Sequence, residues 1–180
     1  YQYHLKEKKF STITEEEGKD IVGTLVPFDH QENLTYINDI KHIYELDDQT
    51  SRLKTVFECY TDTVISSVSH DEQGHFWIGS NFGLIHYDPV LKSRTLVPTN
   101  LFTEINMVLC DQKGKVWIGV DNMLFAYFIK EQKFVLFGES NGAIQNEYLP
   151  NARLVNEQGD AYIGGVKGML RIDGQLLLNT

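Results

Sequence analysis

The sequence predicts an all-β fold made of β-propeller blades, and three observations support this prediction. A short motif occurs three times and is preceded by a degenerate copy. It consists of a turn, an apolar strand with an aromatic ring, and a closing glycine. The turn positions are Asn33, Gly74, Gly114 and Gly159, at intervals of 41, 40 and 45 residues, and a period in this range is typical of propeller blades. No window of useful length keeps apolar residues at helical spacing.

The motif is clearest in the second copy, which begins at Asp71 and reads DEQGHFWIGSNFGL. The third copy, DQKGKVWIG, begins at Asp111, and the fourth, NEQGDAYIG, begins at Asn156. The degenerate copy, HQENLTYIN, begins at His30 and has Asn in place of both glycines. The three intact copies therefore predict equivalent strands in three consecutive blades.

Rings and glycines recur at fixed positions of the motif. One aromatic position is shared by Tyr36, Trp77, Trp117 and Tyr162, so these rings leave equivalent strands on the same side, and we expect them to fill the space between blades. The turn glycines are Gly74, Gly114 and Gly159, where a left-handed backbone favours Gly or Asn. The glycines that end the second strand are Gly79, Gly119 and Gly164, which predict a close backbone approach or a bend.

Each repeat is predicted to supply four antiparallel strands, and such units bury their apolar faces only when they stack side by side. A half-repeat at Tyr1–Thr14 is followed by strands expected at Asp20–Val26, Leu34–Asn38, His42–Leu46 and Leu53–Cys59. The second repeat gives Val64–Ser69, His75–Gly79, Leu84–Tyr87 and Arg94–Val97. The third gives Ile105–Cys110, Lys115–Gly119, Leu124–Phe128 and Phe134–Phe137, and the fourth gives Ala152–Val155, Asp160–Gly164, Met169–Ile172 and Gln175–Leu178.

These strands place the blades at approximately 20–60, 62–99, 103–140 and 149–180, with 1–14 as the end of a preceding blade. We therefore expect a propeller fragment of about four four-stranded antiparallel blades plus a leading half-blade. The chain is then the C-terminal half of one propeller.

Composition excludes several classes of function. The formal charge of −9 argues against nucleic acid and anionic membranes, because both require a basic surface. No apolar run approaches the roughly 18 residues of a membrane-spanning helix, and no signal-peptide pattern occurs. Cys59 and Cys110 occupy different positions of different repeats, which favours two core thiols over a disulfide.

Three stretches together resemble a known family, the two-component regulator propeller repeat. Ile65–Leu84 has its order of a strand, Asp, Gly, Trp-Ile-Gly and Gly-Leu, and Ile105–Leu124 has the same order except that Met123 replaces the last Gly. The stretch from Asn146 through Tyr162 to Met169 is similar to the closing blade, which reads Tyr/Phe-Gly-Gly, two residues, Gly and an apolar residue. The resemblance covers about residues 20 to 173.

The resemblance implies the periplasmic sensor region of a hybrid two-component histidine kinase of Bacteroides-like bacteria, in which similar receptors respond to breakdown products of polysaccharides. It also implies a ring of about seven blades, and a membrane span, a kinase and a receiver in other parts of the polypeptide. For this segment it implies no enzyme activity and no direct membrane contact. Open blade edges further predict self-association with other blades or a second protomer.

Catalytic and metal chemistry is not predicted. Ser80 stands one place early for the Gly-x-Ser-x-Gly elbow of a hydrolase. The six histidines lack the paired spacing of a zinc site, and the acidic runs lack the ladder of a calcium loop. We therefore expect no catalytic residue, no metal site and no cofactor.

Ligand contact is expected on the face formed by the loops between second and third strands and by the loops between blades, since rigidly held loops usually carry function. Amides, carboxylates and aromatic planes suit sugars. The candidates are Asn81, Phe82, Asp121, Asn122, Asn146, Glu147, Tyr148 and Lys167. Two alternatives stay open: a protein–protein assembly or dimerisation propeller with no small ligand, and a propeller glycan lyase or glycosidase.

Overall fold

The computed structural model of the chain describes residues 2–4, 6–15, 26–31, 34–101 and 104–174. Eighteen strands and one short 3-10 helix lie within these ranges, which confirms the all-β class. The same residues contain no helix that is long and apolar enough to cross a membrane. The chain divides into two compact units, Tyr1–Asp62 and Thr63–Thr180.

The first unit contains a hairpin and a five-stranded sheet. Its strands are β1 Gln2–His4, β2 Lys9–Ser11, β3 Thr14–Glu15, β4 Val26–Gln31, β5 Leu34–Asn38, β6 His42–Asp47 and β7 Arg52–Glu58. β1 and β2 pair with each other, and the sheet order is β3-β7-β6-β5-β4, in which β3 runs parallel to β7 and the other pairs are antiparallel. Ile37, Tyr44, Leu46 and Leu53 form its buried core.

In the degenerate first repeat, the first strand lies at a different position from the one predicted. The sequence predicts Asp20–Val26, of which residues 20–25 lie outside the described residues, whereas β4 spans Val26–Gln31. Gln31 pairs with Leu34, so two residues separate the strands. In the intact copies five, four and five residues separate the first and second strands, because an Asp or Asn side chain begins a longer turn there. The turn predicted at Asn33 lies outside the described residues.

The second unit contains two four-stranded sheets and one three-stranded sheet, all antiparallel. Its strands are β8 Ile65–His70, β9 Phe76–Ser80, β10 Gly83–Asp88, β11 Ser93–Leu96, β12 Met107–Cys110, β13 Lys115–Val120, β14 Met123–Phe128, β15 Lys133–Phe137, β16 Tyr148–Val155, β17 Ala161–Gly165 and β18 Gly168–Ile172. The sheet orders are β8-β9-β10-β11, β12-β13-β14-β15 and β16-β17-β18. The strand predicted at Gln175–Leu178 lies outside the described residues.

One side-chain oxygen closes the turn between the first and second strands of each sheet in this unit. Asp71 Oδ1 accepts the backbone N–H groups two and four residues further on, at 2.9 and 3.0 Å. Asp111 Oδ1 does the same at 2.9 and 3.0 Å, and Asn156 Oδ1 at 3.1 and 2.8 Å. The glycine in each turn has a φ of +79°, +83° or +82°, in the left-handed region. These bonds fix where each second strand begins.

The next turn along the chain differs between two sheets. Between β9 and β10 the left-handed residue is Gly83, with a φ of +119°. Between β13 and β14 the left-handed residue is instead Asp121, with a φ of +49°, at the start of the loop. Asp tolerates this backbone better than most residues. Met123 can therefore replace the family glycine without adopting a positive φ.

Apolar side chains fill both spaces between the three sheets. Trp77 and Leu84 join residues of β12–β14 in one cluster, and Trp117 and Leu124 join residues of β16–β18 in a second. Trp77 is 3% exposed and Trp117 is fully buried. Trp117 also meets Phe137 edge to face, with 4.9 Å between ring centroids. Each tryptophan therefore packs towards the following sheet.

Two glycines allow this packing. A Cβ atom at Gly79 would lie 2.7 Å from a methyl of Ile105 and 2.8 Å from a methyl of Val108. A Cβ atom at Gly119 would lie 2.9 Å from the Cβ of Tyr148. These distances are below normal carbon contacts, so both positions need the absence of a side chain because the following sheet approaches closely.

Removal of the buried indole should destabilise the unit strongly. We expect Trp117→Ala to lower the free energy of unfolding by about 3 to 5 kcal/mol, because a large side chain is lost from a closed core. Urea unfolding followed by circular dichroism measures this change. Tyr162→Ala is the matched control, since that ring occupies the same strand position but is only half-buried. A change near zero for Trp117→Ala would contradict its packing role.

Candidate functional site

A cavity of about 870 Å³ lies between the sheets β8–β11 and β12–β15. Its wall comes from the turn after β8, the turn after β12 and the turn after β14, together with side chains of β9, β10, β13 and β14. The lining includes Trp77, His86, Gln112, Lys130 and Tyr127. Aromatic rings, amides and charged groups therefore face one space, and the volume is within the range of small-molecule sites.

Two histidines meet in this wall. His86 lies on β10 and pairs across the sheet with Trp77, and His75 immediately precedes β9. His86 Nε2 lies 3.1 Å from His75 Nδ1. The other ring nitrogen of His75, Nε2, lies 3.6 Å from Asp88 Oδ2. The two imidazoles therefore lie within hydrogen-bonding distance of each other. The Asp88 carboxylate lies on the opposite side of the His75 ring.

Asp71 and Trp77 complete this part of the wall. Trp77 donates its indole N–H to Asp71 Oδ2 at 2.8 Å, and the same oxygen lies 3.9 Å from His75 Nδ1. The Trp77 ring contacts the His86 ring, with 4.5 Å between centroids, and the Tyr127 ring at 5.6 Å. The tryptophan thus orients both the carboxylate and one imidazole.

The environment lowers the pKa of His86. Burial is the main cause, since it disfavours the charged imidazolium, and the neighbouring His75 adds to the effect. Asp71 and Asp88 oppose the shift without cancelling it. His86 is therefore a neutral imidazole at neutral pH, with a lone pair able to accept a proton or bind a cation.

The following sheet carries a buried ion pair in the same wall. Lys115 Nζ lies 3.2 Å from Asp111 Oδ2, and the two side chains are 5% and 6% exposed. Lys115 follows its turn glycine as His75 follows Gly74, so it occupies the corresponding place of the next repeat. In the third sheet Asp160 takes this place, and Arg171 donates to its Oδ2 at 2.8 Å.

Both cysteines are free thiols. Cys110 lines the cavity and is buried, and burial raises the pKa of its thiol far above the ordinary value. The thiolate is therefore not populated at neutral pH, and Cys110 contributes an apolar surface to the cavity.

The predicted ligand residues lie outside the cavity lining. Asn81 and Phe82 form the loop between β9 and β10, where Phe82 is 53% exposed and Asn81 Oδ1 accepts the N–H of Val64 at 2.7 Å. Asp121 and Asn122 form the corresponding exposed loop of the next sheet. Their role in binding stays a prediction.

The other four predicted residues gather around the loop between β17 and β18. Lys167 is exposed and donates its Nζ–H to the carbonyl of Gln145 at 3.0 Å, and the Glu147 carbonyl accepts the N–H of Val166 at 3.1 Å. Asn122 also joins this group, because its carbonyl accepts the N–H of Asn146 at 3.2 Å. The structure thus brings Asn122, Asn146, Glu147 and Lys167 together.

Two of the predicted ligand residues, Asn146 and Tyr148, are buried in the structure. Asn146 is fully buried, and its amide bonds the backbone of the β17–β18 loop: Oδ1 accepts the N–H of Lys167 at 2.9 Å, and Nδ2 donates to the Gly168 carbonyl at 3.2 Å. Tyr148 is 1% exposed and donates its hydroxyl to the Ile144 carbonyl at 2.9 Å. Both side chains hold the loop in place, because a buried amide or phenol needs internal partners.

The histidine pair was not predicted from the sequence. The register between β9 and β10 would have indicated it. A two-residue loop at Asn81 and Phe82 joins these strands, which places His86 opposite Trp77 and Asp88 opposite His75. Alternate residues of a strand share a face, so all four side chains emerge on one side of the sheet. The spacing of histidines along the chain does not contain this information.

Solved structures resemble the chain. The extracellular domain of a protein of B. thetaiotaomicron, described both as a one-component and as a hybrid two-component system, has a TM-score of 0.61 at 18% identity over 85% of this chain and 21% of its own. An auxiliary nutrient binding protein from Bacteroides thetaiotaomicron has a TM-score of 0.61 at 14% identity, over 82% of this chain and 37% of its own. YCF48 bound to D1 peptide has a TM-score of 0.65 at 12% identity, over 85% and 52%.

These matches establish the fold. The neighbours include extracellular domains of Bacteroides two-component systems, the class that the repeat motif indicates, and the sheets are blades of the propeller type. The chain spans from 21% to 52% of the length of the three proteins compared. No protein-family model matches the chain, and neither does any curated protein.

Breaking the buried ion pair should be costly. We expect Lys115→Met to lower the free energy of unfolding by about 3 to 5 kcal/mol, because the Asp111 carboxylate is left buried without its cation. The double variant with Asp111→Asn should recover most of this loss, since Asn156 shows that an amide oxygen can close the same turn. Urea unfolding of both variants and of an exposed control, Lys133→Met, measures the difference. Equal losses in the single and double variants would contradict the explanation.

Proposed function

We propose that the chain is a ligand-sensing segment of an extracytoplasmic propeller in a hybrid two-component sensor. The repeat motif and the fold likeness to extracellular domains of Bacteroides two-component systems support this assignment. The observation that carries the binding role is the cavity of about 870 Å³ between two blades. On this proposal the segment lies in the periplasm, and the kinase belongs to another part of the polypeptide.

The ligand class that fits the cavity is an oligosaccharide derived from a polysaccharide. Sugars present hydroxyl groups for amides and charged groups and apolar ring faces for aromatic side chains. The cavity lining supplies amides and a charged group from Gln73, Gln112, Gln132 and Lys130, and aromatic rings from Trp77 and Tyr127. The likeness to a nutrient binding protein agrees with a small soluble ligand.

Signalling requires that the ligand bind one arrangement of the propeller better than another. The cavity lies between two sheets, so a ligand that contacts both turns favours a particular spacing of the blades. A shift of this kind changes the relation between two protomers, and the kinase reads the change. No catalytic step is needed in this segment.

The saccharide site predicts a selective loss of affinity. We expect Gln73→Ala with Lys130→Ala to weaken binding of the best oligosaccharide about three- to tenfold for each hydrogen bond lost. Calorimetric titration of the complete extracytoplasmic region with a panel of oligosaccharides provides the measurement. The matched control is Gln158→Ala with Lys133→Ala, because Gln158 occupies the same turn position in another blade and neither residue lines the cavity.

Two outcomes would contradict this assignment. If no glycan binds and a protein partner is found, the ligand class is wrong. If affinity instead falls on replacing Asn81, Asn122 and Lys167 together, the ligand binds at the opposite loops and the cavity is not its site.

A second candidate function is assembly, and one face of the third sheet favours it. Leu84 and Leu124 are at most 1% exposed, because the next sheet covers them. Met169, at the same position of the third sheet, is 68% exposed. Leu154 on the same sheet is 54% exposed, although Leu109 at the corresponding position is 6% exposed. A further blade, or a second copy of this chain, would cover these side chains.

The exposed face predicts self-association. We expect the 180-residue chain to dimerise in light scattering, and Met169→Lys with Leu154→Lys to shift it to a monomer, because two charges would have to be buried in the interface. Val90→Lys is the control, since Val90 is 86% exposed in the turn after β10. A monomeric unmodified chain, or an equal effect of Val90→Lys, would count against this interface.

A further inference from the structure

Two imidazoles and a carboxylate converge in the cavity wall. Asp71, His75 and His86 each offer a ligand atom, and these atoms all lie within 4.8 Å of one another. His75 Nδ1 is 3.1 Å from His86 Nε2 and 3.9 Å from Asp71 Oδ2. All three residues are partly buried, so the group is accessible from the cavity without being a solvated surface cluster.

These distances suit one transition-metal ion. Zinc binds imidazole nitrogen and carboxylate oxygen at about 2.0 to 2.2 Å, and tetrahedral geometry then separates neighbouring ligand atoms by about 3.3 Å. The two histidine nitrogens already have nearly this spacing, and the Asp71 oxygen, which lies within 4.8 Å of both, has to approach by at most about 1.5 Å. Two imidazoles with one carboxylate favour zinc-class ions over calcium or magnesium, which prefer oxygen ligands.

The groups behind the ligands hold them in suitable orientations. Asp71 Oδ1 is engaged by two backbone N–H groups of its own turn, and Oδ2 accepts the indole N–H of Trp77 at 2.8 Å. His75 Nε2 faces Asp88 Oδ2 at 3.6 Å, and Nδ1 is the ring nitrogen directed at the cluster. A carboxylate behind a ligating histidine is a common feature of metal sites, where it fixes the ring and its tautomer.

The neighbouring blades place a protein cation at the corresponding position. Lys115 Nζ lies 3.2 Å from Asp111 Oδ2, and Arg171 lies 2.8 Å from Asp160 Oδ2. In the blade of Asp71 these positions hold His75 and His86 in place of a lysine and an arginine. A bound metal ion would supply the missing positive charge.

We propose that Asp71, His75 and His86 form a binding site for a divalent transition metal, with Zn²⁺ as the leading ion. Asp88 acts as a positioning residue for His75. Because the three ligands line the cavity, the fourth coordination position faces the cavity and accepts water or a donor atom of a bound molecule. The site goes beyond the proposed sensor role, since the protein alone binds the ion.

The experiment uses the chelator-treated chain and Zn²⁺ alone. Calorimetric titration is expected to give one ion per chain, and Co²⁺ is expected to produce the intense visible bands of a four-coordinate site. His86→Ala should weaken Zn²⁺ binding by at least about a hundredfold, because it removes a direct ligand. Ala126 occupies the position of His86 in the next blade, so the fold accepts alanine there.

Three further variants separate a built site from a structural histidine pair. His75→Lys should abolish binding yet keep the chain folded, because its ammonium can contact Asp71 as Lys115 contacts Asp111. Asp88→Asn should weaken binding about tenfold to a hundredfold, as expected for a residue behind a ligand. His70→Gln is the matched control: His70 lies at the same turn but outside the cluster, and its loss should leave Zn²⁺ affinity unchanged.

The proposal is overturned if the folded, unmodified chain binds no Zn²⁺ at micromolar concentration, since the two imidazoles then only bond each other. It is also overturned if His70→Gln weakens binding as much as His86→Ala, because the ion is then bound nonspecifically. Circular dichroism of each variant excludes unfolding as the cause. Failure of every oligosaccharide to bind would leave this titration unaffected.

Discussion

A single side-chain oxygen at the end of each first strand determines the geometry of the site. Asp71, Asp111 and Asn156 each accept two backbone N–H groups through Oδ1, and these bonds fix the turn and the start of the second strand. The residue after the turn glycine therefore occupies the same place in each of the three sheets of the second unit. His75 and Lys115 differ greatly in chemistry, yet they reach the same wall because their turns are closed in the same way. The repeat motif thus fixes the backbone position, and the residue after the turn glycine determines which chemical group lies there.

Packing between the sheets distinguishes Trp77, which borders the cavity, from Trp117, which is fully buried. Trp117 lies opposite Ala126 on the neighbouring strand, and its ring contacts Phe137. Its indole N–H has no hydrogen-bond partner among the described residues. That core tolerates an unpaired donor, which costs about 1 to 3 kcal/mol, in exchange for complete burial of the ring. Trp77 is opposed by His86, and its N–H is satisfied by Asp71. Polar groups around the ring keep this space from closing into an apolar core.

The sequence predicts the fold class well because blade period and turn chemistry are properties of the chain itself. The turn glycines, for example, adopt the left-handed backbone that their residue type suggests. The His75–His86 pair requires one more step, since it depends on strand register, which the Asn81–Phe82 loop sets. The approach of Tyr127 and Lys115 to the same cavity depends on how two sheets pack, and no local pattern contains that information. The burial of Asn146 is another feature without a local signal, because its amide is buried by the neighbouring loop, whose backbone it bonds.

The three blades of the second unit meet the same electrostatic requirement in different ways. A carboxylate held near the turn in a partly buried place needs a positive partner, since an isolated charge is costly there. Asp111 has Lys115 and Asp160 has Arg171, and both pairs are closed within the protein. Asp71 faces the imidazoles of His75 and His86, and it borders the cavity. Among the described residues, the Asp71 carboxylate is thus the one of the three that meets imidazole and indole groups in place of a lysine or arginine, and it does so beside the cavity.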